Sequence, residues 1–393
     1  MNILVIGNGF DLAHELPTKY WDFIEFVKVF KALKDSTRDR IESISYFQRL
    51  DENIKEYLLS DAVFNFSNHT DILKEFYKLI NNNIWIEYFD NEIDFKNKGW
   101  IDFEFEISEV IKSLDYLLIV NNKKLKKPGD NEIDDNFKYN VAAKFINKMK
   151  NKGITDHNKR FKIGDFYGEV AKEIIDELYE ELNNLIRCLE IYLEEFLGKI
   201  NIEKRLIDIL EIEEIDKVIS FNYTKTYEKI YDVEKKCMYD YIHGEVNLNR
   251  DIIENNMVLG INEYLNTEEK DEKIEFIKFK KYFQRIYKET KCLHRTWLER
   301  AKSLQGDAEM TKKSDKLEYI NKVYIYGHSL DITDKDILKD LINFIGTQTT
   351  IFYYDKYDYA QKIANMVRIV GQEYLNKNCY GLYPKIIFKE IKR

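Results

Sequence analysis

The sequence predicts an α/β fold: a Rossmann-like parallel sheet carrying a large, mostly helical insertion. Three observations predict it. Five short runs are rich in β-branched and aromatic residues and do not alternate apolar with polar, the pattern of strands buried on both faces. The first of them, at the N-terminus, runs straight into a glycine turn, and the other four come only after residue 215. Between the first and the rest lies a long stretch of helical periodicity, nearly free of glycine and proline. The expected division is therefore a sheet domain of residues 1–20 and 206–393 interrupted by a helical insertion of residues 21–205.

The expected strands are Ile3 to Ile6, Val218 to Phe221, Val323 to Tyr326, Thr349 to Tyr354 and Lys385 to Phe388, with helical crossovers between them. In the insertion, the only glycine between Gly9 and Pro128 is Gly99, so long helices are expected there. From Glu169 to Leu197 neither glycine nor proline occurs. Val170, Ile174, Leu178, Leu182, Leu185, Leu189, Leu193 and Leu197 recur at spacings of three and four, which makes one apolar helical stripe for packing against other helices. Lys- and Asn-rich stretches at 121–136 and 263–281 read as exposed connections.

Composition narrows the function. With 393 residues, 44% hydrophobic and 33% charged, the chain has ample core-forming material and is no disordered, collagenous or porin-like sequence. A formal charge of −9 repels a phosphate backbone and gives dedicated nucleic-acid binding no support. Cys188, Cys237, Cys292 and Cys379 stand too far apart for a zinc ribbon or a disulfide framework. No leader and no long apolar span is read, so the expectation is a cytoplasmic protein without membrane contact.

Candidate chemistry gathers at the expected strand ends, where parallel sheets hold their ligands. The first strand leads into Gly7, Asn8, Gly9, Phe10 and Asp11, the position of a nucleotide loop; Leu12 stands where a dinucleotide fingerprint has its last glycine, so a tight turn explains the glycines equally well, and Asp11 can be a helix cap. Ser220 to Thr224 follows the second strand. Asn222 there can both donate and accept, suiting a ribose hydroxyl or a water, or simply a turn. His243, followed by Gly244, is placed for general-base work near neutral pH. Gly327, His328 and Ser329 follow a fourth strand end, with Ser329 or Asp331 as alternative helix caps. His14, His294 and His328 are weaker candidates for the base. Within the insertion, Trp100, Asp102 and Glu104 form an acidic cluster, a minority candidate for magnesium against an ion-paired or solvated patch.

The blocks GNGFDLAHELPTKYWDF at the start, WIDFE at 100–104, SFNYTKTYE at 220–228, IHG at 242–244, VLGI at 258–261 and YGHSLDITD at 326–334 resemble the AbiH family of bacteriophage abortive-infection proteins. They span nearly the whole chain in the family's order. A remoter likeness is to sirtuin-like NAD-binding domains, in which a glycine loop, an asparagine block, an HG pair and a GTSL-like turn surround NAD; this chain has GNG, FNY, IHG and GHSL in that order. The likeness implies that Asn222 positions the nicotinamide ribose or the attacking water and that His243 deprotonates a ribose hydroxyl or water. Gly7, Gly9 and Ser329 would hold the phosphates, with Asn8, Phe10, Asp11, Thr224, Gly327 and His328 completing the binding loops. Two departures stand out: the sirtuin loop has alanine where Asn8 stands, and an aspartate is expected where Thr224 is found. Without paired cysteines there is no zinc module of the protein-deacylating kind, which favours NAD cleavage over deacylation.

The expectation is an anti-phage protein that binds NAD as substrate and hydrolyses it to nicotinamide and ADP-ribose when activated. A magnesium-dependent nuclease using Asp102 and Glu104, and a nucleotide-sensing module without catalysis, are the rival readings. An always-active NAD-consuming enzyme would poison its host, so a phage-derived trigger is expected, with the helical insertion gating the sheet or forming a homo-oligomer.

Overall fold

In the computed structural model, residues 1–96, 102–123, 133–152, 163–265, 268–269, 271–313 and 316–392 are described. The chain forms two compact units: residues 1–18, 201–246 and 289–393, and residues 19–200 with 247–288. The sequence reading had put 247–288 with the sheet.

The first unit is built on a parallel sheet. Its strands are β1 (Asn2–Ile6), β2 (Lys217–Ser220), β3 (Met238–Tyr241), β6 (Asn321–Tyr326), β7 (Thr347–Tyr353) and β8 (Ile386–Glu390), and a separate antiparallel hairpin is formed by β4 (Met310–Lys313) and β5 (Lys316–Tyr319). The six strands lie in the order β3-β2-β1-β6-β7-β8 and are parallel throughout. This is an α/β architecture.

Successive residues of a strand point to opposite faces, and here both faces are covered. Ile3, Val5, Ile219, Val323, Ile325 and Ile351 pack with Trp297, Leu338, Leu341, Met366 and Ile369 from the helices Leu293–Gln305, Lys335–Ile342 and Lys356–Val370. Leu4, Ile6, Val218, Tyr326 and Phe352 pack on the other face with Phe10, Leu206, Ile209 and Tyr227. Each such side chain contributes roughly 1.5–3 kcal/mol on leaving water. Burial on both faces is why these strands read as continuous apolar runs.

The register fixes where the strands end. Ile6 pairs with Ser220 and Tyr326, and Ser220 pairs with Tyr241. The residues that follow, Gly7, Phe221, Ile242 and Gly327, therefore leave the sheet from one edge in neighbouring positions. From β1 the chain runs outward through β2 to β3 and then returns to lay β6 on the opposite side of β1. The carboxyl ends of β1 and β6 thus flank the reversal, where an open parallel sheet offers its crevice.

The second unit is helical. Its longest helix, Gly168–Ile191, buries Ile174, Leu178, Leu182, Leu185 and Leu189 along the expected stripe. It continues as a π-helical turn, Tyr192–Phe196, and a 3₁₀ turn, Leu197–Lys199. Segment 247–288 is tied to this helix by polar groups. Arg187 meets Glu75 through Nε and Nη2 at 3.0 and 3.1 Å and Glu190 through Nη1 at 2.7 Å. Fully buried Glu190 also accepts from the Asn247 backbone at 2.9 Å and from Asn255 Nδ2 at 2.6 Å. In stretch 263–281 the described residues up to 275 are exposed or half-buried, as expected of a connection, but its end is not: Phe276 and Phe279 are buried, with Phe279 edge-on to Tyr179, and Lys280 is buried on Glu263 at 2.7 Å. Lys280 and Lys281 there are buried on Glu263 and Glu104, which composition alone does not reveal. Of the stretch 121–136, residues 124–132 lie outside the described residues and 133–136 belong to the helix Ile133–Lys152.

Candidate functional site

Four turns meet at the carboxyl edge of the sheet. The glycines of the first and last are first of all a packing requirement. A Cβ on Gly9 would stand 2.8 Å from the Gly327 backbone, and one on Gly7 would stand 2.8 Å from the His328 Cα. The Gly9 N–H donates to the Gly327 carbonyl at 2.8 Å, and Gly327 itself has a φ of +66°, the left-handed region that glycine enters freely. The two turns thus lie backbone to backbone beside the strand-order reversal.

Gly7 precedes the short helix Asn8–Ala13. Asn8 is exposed and accepts the Thr18 hydroxyl at 2.6 Å, which pins the chain after Pro17. Phe10 is fully buried among His14, Tyr227, Tyr231 and Tyr326. His14 bridges the Phe10 carbonyl and the Tyr231 hydroxyl at 2.8 and 2.9 Å, so it is a structural member of this aromatic cluster.

Asp11 is the unusual member of the turn. It is 1% exposed and accepts the Thr224 hydroxyl at 2.5 Å, while Oδ1 takes no well-formed hydrogen bond among the described residues. Burial pushes its carboxyl up to about 6, with Thr224, Thr226 and Asn222 drawing it part of the way back. Asn222, after β2, donates Nδ2 to the Gly7 carbonyl at 3.0 Å, and its backbone is closed onto the Ser220 hydroxyl. Asn222 and Thr224 therefore lie against the first turn.

His243 leaves β3 and His328 leaves β6, and a carboxylate that the sequence reading did not single out joins them. Asp334 Oδ1 is 3.3 Å from His243 Nε2, and Asp334 Oδ2 is 3.6 Å from His328 Nε2. All three are buried, and the Phe221 ring stands edge-on to both imidazoles, at 5.5 and 4.3 Å between centroids. Asp334 closes the YGHSLDITD block, so its signal was present in the sequence, but nothing in the spacing linked it to a histidine 91 positions earlier. Ser329 is exposed, and its carbonyl accepts Asn365 Nδ2 at 3.0 Å; Asp331, not Ser329, caps the following 3₁₀ turn, through Thr333 N.

The other candidates lie elsewhere. His294 is wholly buried and bonded through Nδ1 to Asp240 at 2.7 Å. Trp100 is outside the described residues. In the helical unit, Asp102 caps the helix Phe103–Asn122, accepting from Glu104 N and Phe105 N, and Glu104 pairs with Lys281 at 2.8 Å. Among the described residues no three histidines, cysteines, aspartates or glutamates converge to hold a metal ion, and no helix is long and apolar enough to cross a membrane.

The edge thus holds an imidazole backed by a carboxylate, an amide that can donate and accept, and a carboxyl that titrates near neutrality. Such a set can move protons and hold hydroxyls. A family model described as bacteriophage abortive infection AbiH matches residues 3–355, a span that includes every turn described above. No curated protein and no solved structure matches the chain. The chain belongs to the AbiH family of bacteriophage abortive infection proteins, and with it to anti-phage defence.

Proposed function

We propose that the carboxyl edge of the sheet binds NAD and that the protein hydrolyses it to nicotinamide and ADP-ribose during abortive infection. One observation carries this reading: His243, Asn222, Asp11 and Asp334, all buried and all polar, come together from separate strand ends beside the strand-order reversal. Buried ionisable groups are costly, and a fold that keeps several at one crevice points to chemistry there. Counting only the six sheet strands, the order across the sheet is 3-2-1-4-5-6, that of dinucleotide-binding Rossmann-like sheets, which supports the same ligand class. The likeness to sirtuin-like domains is part of this reading.

In this mechanism Asn222 holds the ribose beside nicotinamide, or the attacking water. The bond between ribose C1′ and the pyridinium nitrogen breaks with its electron pair going to nitrogen, so nicotinamide leaves neutral. Water oxygen bonds to the oxocarbenium-like C1′, and His243 takes the proton that water loses. Asp334 faces the resulting imidazolium. The turn at Gly7–Asp11, with Gly327, Ser329 and Thr224, lines the rest of the ligand.

The test is to incubate the purified protein with NAD, RNA, single-stranded DNA and double-stranded DNA, with and without magnesium and phage lysate. Free nicotinamide supports the reading. Nucleic-acid fragments would replace it with a nuclease, and NAD binding without turnover, with or without lysate, would replace it with a nucleotide sensor.

A further inference from the structure

We propose that Asp334 is the positioning carboxylate of the site and that His328 acts through it, orienting His243 rather than touching the ligand; the inference rests on the reading of His243 as the base. The geometry begins with a hydrogen bond two residues away. The Leu330 backbone N–H donates to His328 Nδ1 at 2.9 Å, so that nitrogen presents its lone pair. The ring proton of neutral His328 is therefore on Nε2, the nitrogen facing Asp334 Oδ2 at 3.6 Å.

The turn is shaped to bring the Leu330 N–H onto His328 Nδ1. Gly327 at φ +66° and Leu330 at φ +59° are both left-handed, and Leu330 is a fully buried residue that rarely adopts this conformation. The helix Lys356–Val370 holds the turn from outside: Lys362 Nζ donates to the His328 carbonyl at 2.9 Å and Asn365 Nδ2 to that of Ser329. Lys362 is itself buried and paired with Asp358 at 3.2 Å. Phe221 closes the apolar side against both imidazoles.

Buried Asp334 turns one carboxylate oxygen toward each imidazole. One oxygen faces the fixed N–H of His328 and leaves the other, Oδ1, directed at His243 Nε2 at 3.3 Å. That arrangement directs an Nε2 proton of His243 at Asp334 without either partner meeting substrate. It also assigns His328 a role different from that of a phosphate-binding turn residue.

The experiment uses the full chain and the variants Asp334→Asn, His328→Phe and His328→Gln. Nitrogen-15 spectra of the histidine rings, recorded without NAD and assigned by the variants, report tautomers independently of any activity. The expected result is His328 protonated on Nε2 in the native protein and a changed His243 ring signal in Asp334→Asn, with thermal melting retained. On nicotinamide release, Asp334→Asn and His328→Phe should lower kcat by roughly 10²- to 10⁴-fold with KM nearly unchanged, and His328→Gln, which keeps an N–H donor, should recover most of the loss. A His328 proton on Nδ1, an unaltered His243 signal in Asp334→Asn, or a loss confined to KM would overturn the proposal. If the native protein releases no nicotinamide while the ring spectra come out as expected, NAD cleavage falls and the positioning role of Asp334 stands.

Discussion

Thr224 donates its hydroxyl to the Asp11 carboxylate at 2.5 Å, joining the turn after β2 to the helix after β1 across 213 residues of sequence. The bond does not offset the burial of the carboxyl, which pushes it up to about 6. A group whose folded value lies above its unfolded value of 3.8 binds more protons folded than unfolded between about pH 4 and 6. Stability therefore falls as pH rises through that window and stays lowered above it. The rise from 3.8 to about 6 corresponds to roughly 3 kcal/mol. Asp11→Asn should raise the melting temperature at pH 7 by several degrees, flatten the slope between pH 4 and 6, and abolish phage protection. Calorimetry at pH 4, 6 and 7 checks this; a variant that is less stable at pH 7 with the slope intact would show that the carboxylate is structural.

The approach of the two glycine turns makes a second prediction. Gly327→Ala combines a φ of +66° with a Cβ that overlaps Phe10 N, whereas Gly306, at φ +62°, has open space around its Cβ position. Gly327→Ala should destabilise the protein by roughly 2–4 kcal/mol or prevent folding, and Gly306→Ala should cost only about 1 kcal/mol. Urea denaturation of the pair separates steric collision from backbone strain, and equal losses would contradict the packing role.

In the helical unit, Glu190 anchors Arg187, Asn247 and Asn255 at once. Glu190→Ala leaves Arg187 paired with Glu75 but removes the acceptor of the Asn247 and Asn255 N–H donors, and should cost about 1–3 kcal/mol. A volume-matched Glu190→Gln, which keeps an acceptor, should cost less. Equilibrium unfolding of both variants is the check, and an alanine variant of native stability would show that segment 247–288 is held by other contacts.

Much of the sheet was legible from its apolar runs, Ile3 to Ile6 in β1, Val323 to Tyr326 in β6 and Ile351 to Tyr353 in β7, and each strand was expected within a few residues of where it lies. Strand β3 is not among the five apolar runs, although the sequence puts His243 at a strand end. At the edge of the sheet, with Met238 exposed and Asp240 in its middle, it lacks that pattern. The expected boundary puts segment 247–288 with the sheet because much of its attachment to the helical unit is polar, Asn247 and Asn255 on Glu190 and Lys281 on Glu104, and polar residues carry no hydrophobic period. At the site, the strand-end turns were visible as glycines and an asparagine following apolar runs. That Asn222 binds Gly7, that Thr224 binds Asp11 and that Asp334 faces both histidines are tertiary facts. They join segments 215, 213 and 91 positions apart, and no local spacing encodes them.

The central claim is that His243 and Asn222 cleave NAD when phage infects. The most direct measurement is the NAD content of phage-infected bacteria expressing the native chain, His243→Ala or Asn222→Ala, with expression and melting of each variant matched. The native chain should deplete NAD after infection and not before, and both variants should hold NAD at the uninfected level and lose protection; removing a general base alone is worth 10²- to 10⁴-fold in rate. Protection by the native chain with NAD unchanged, or depletion that persists in His243→Ala, would contradict the account.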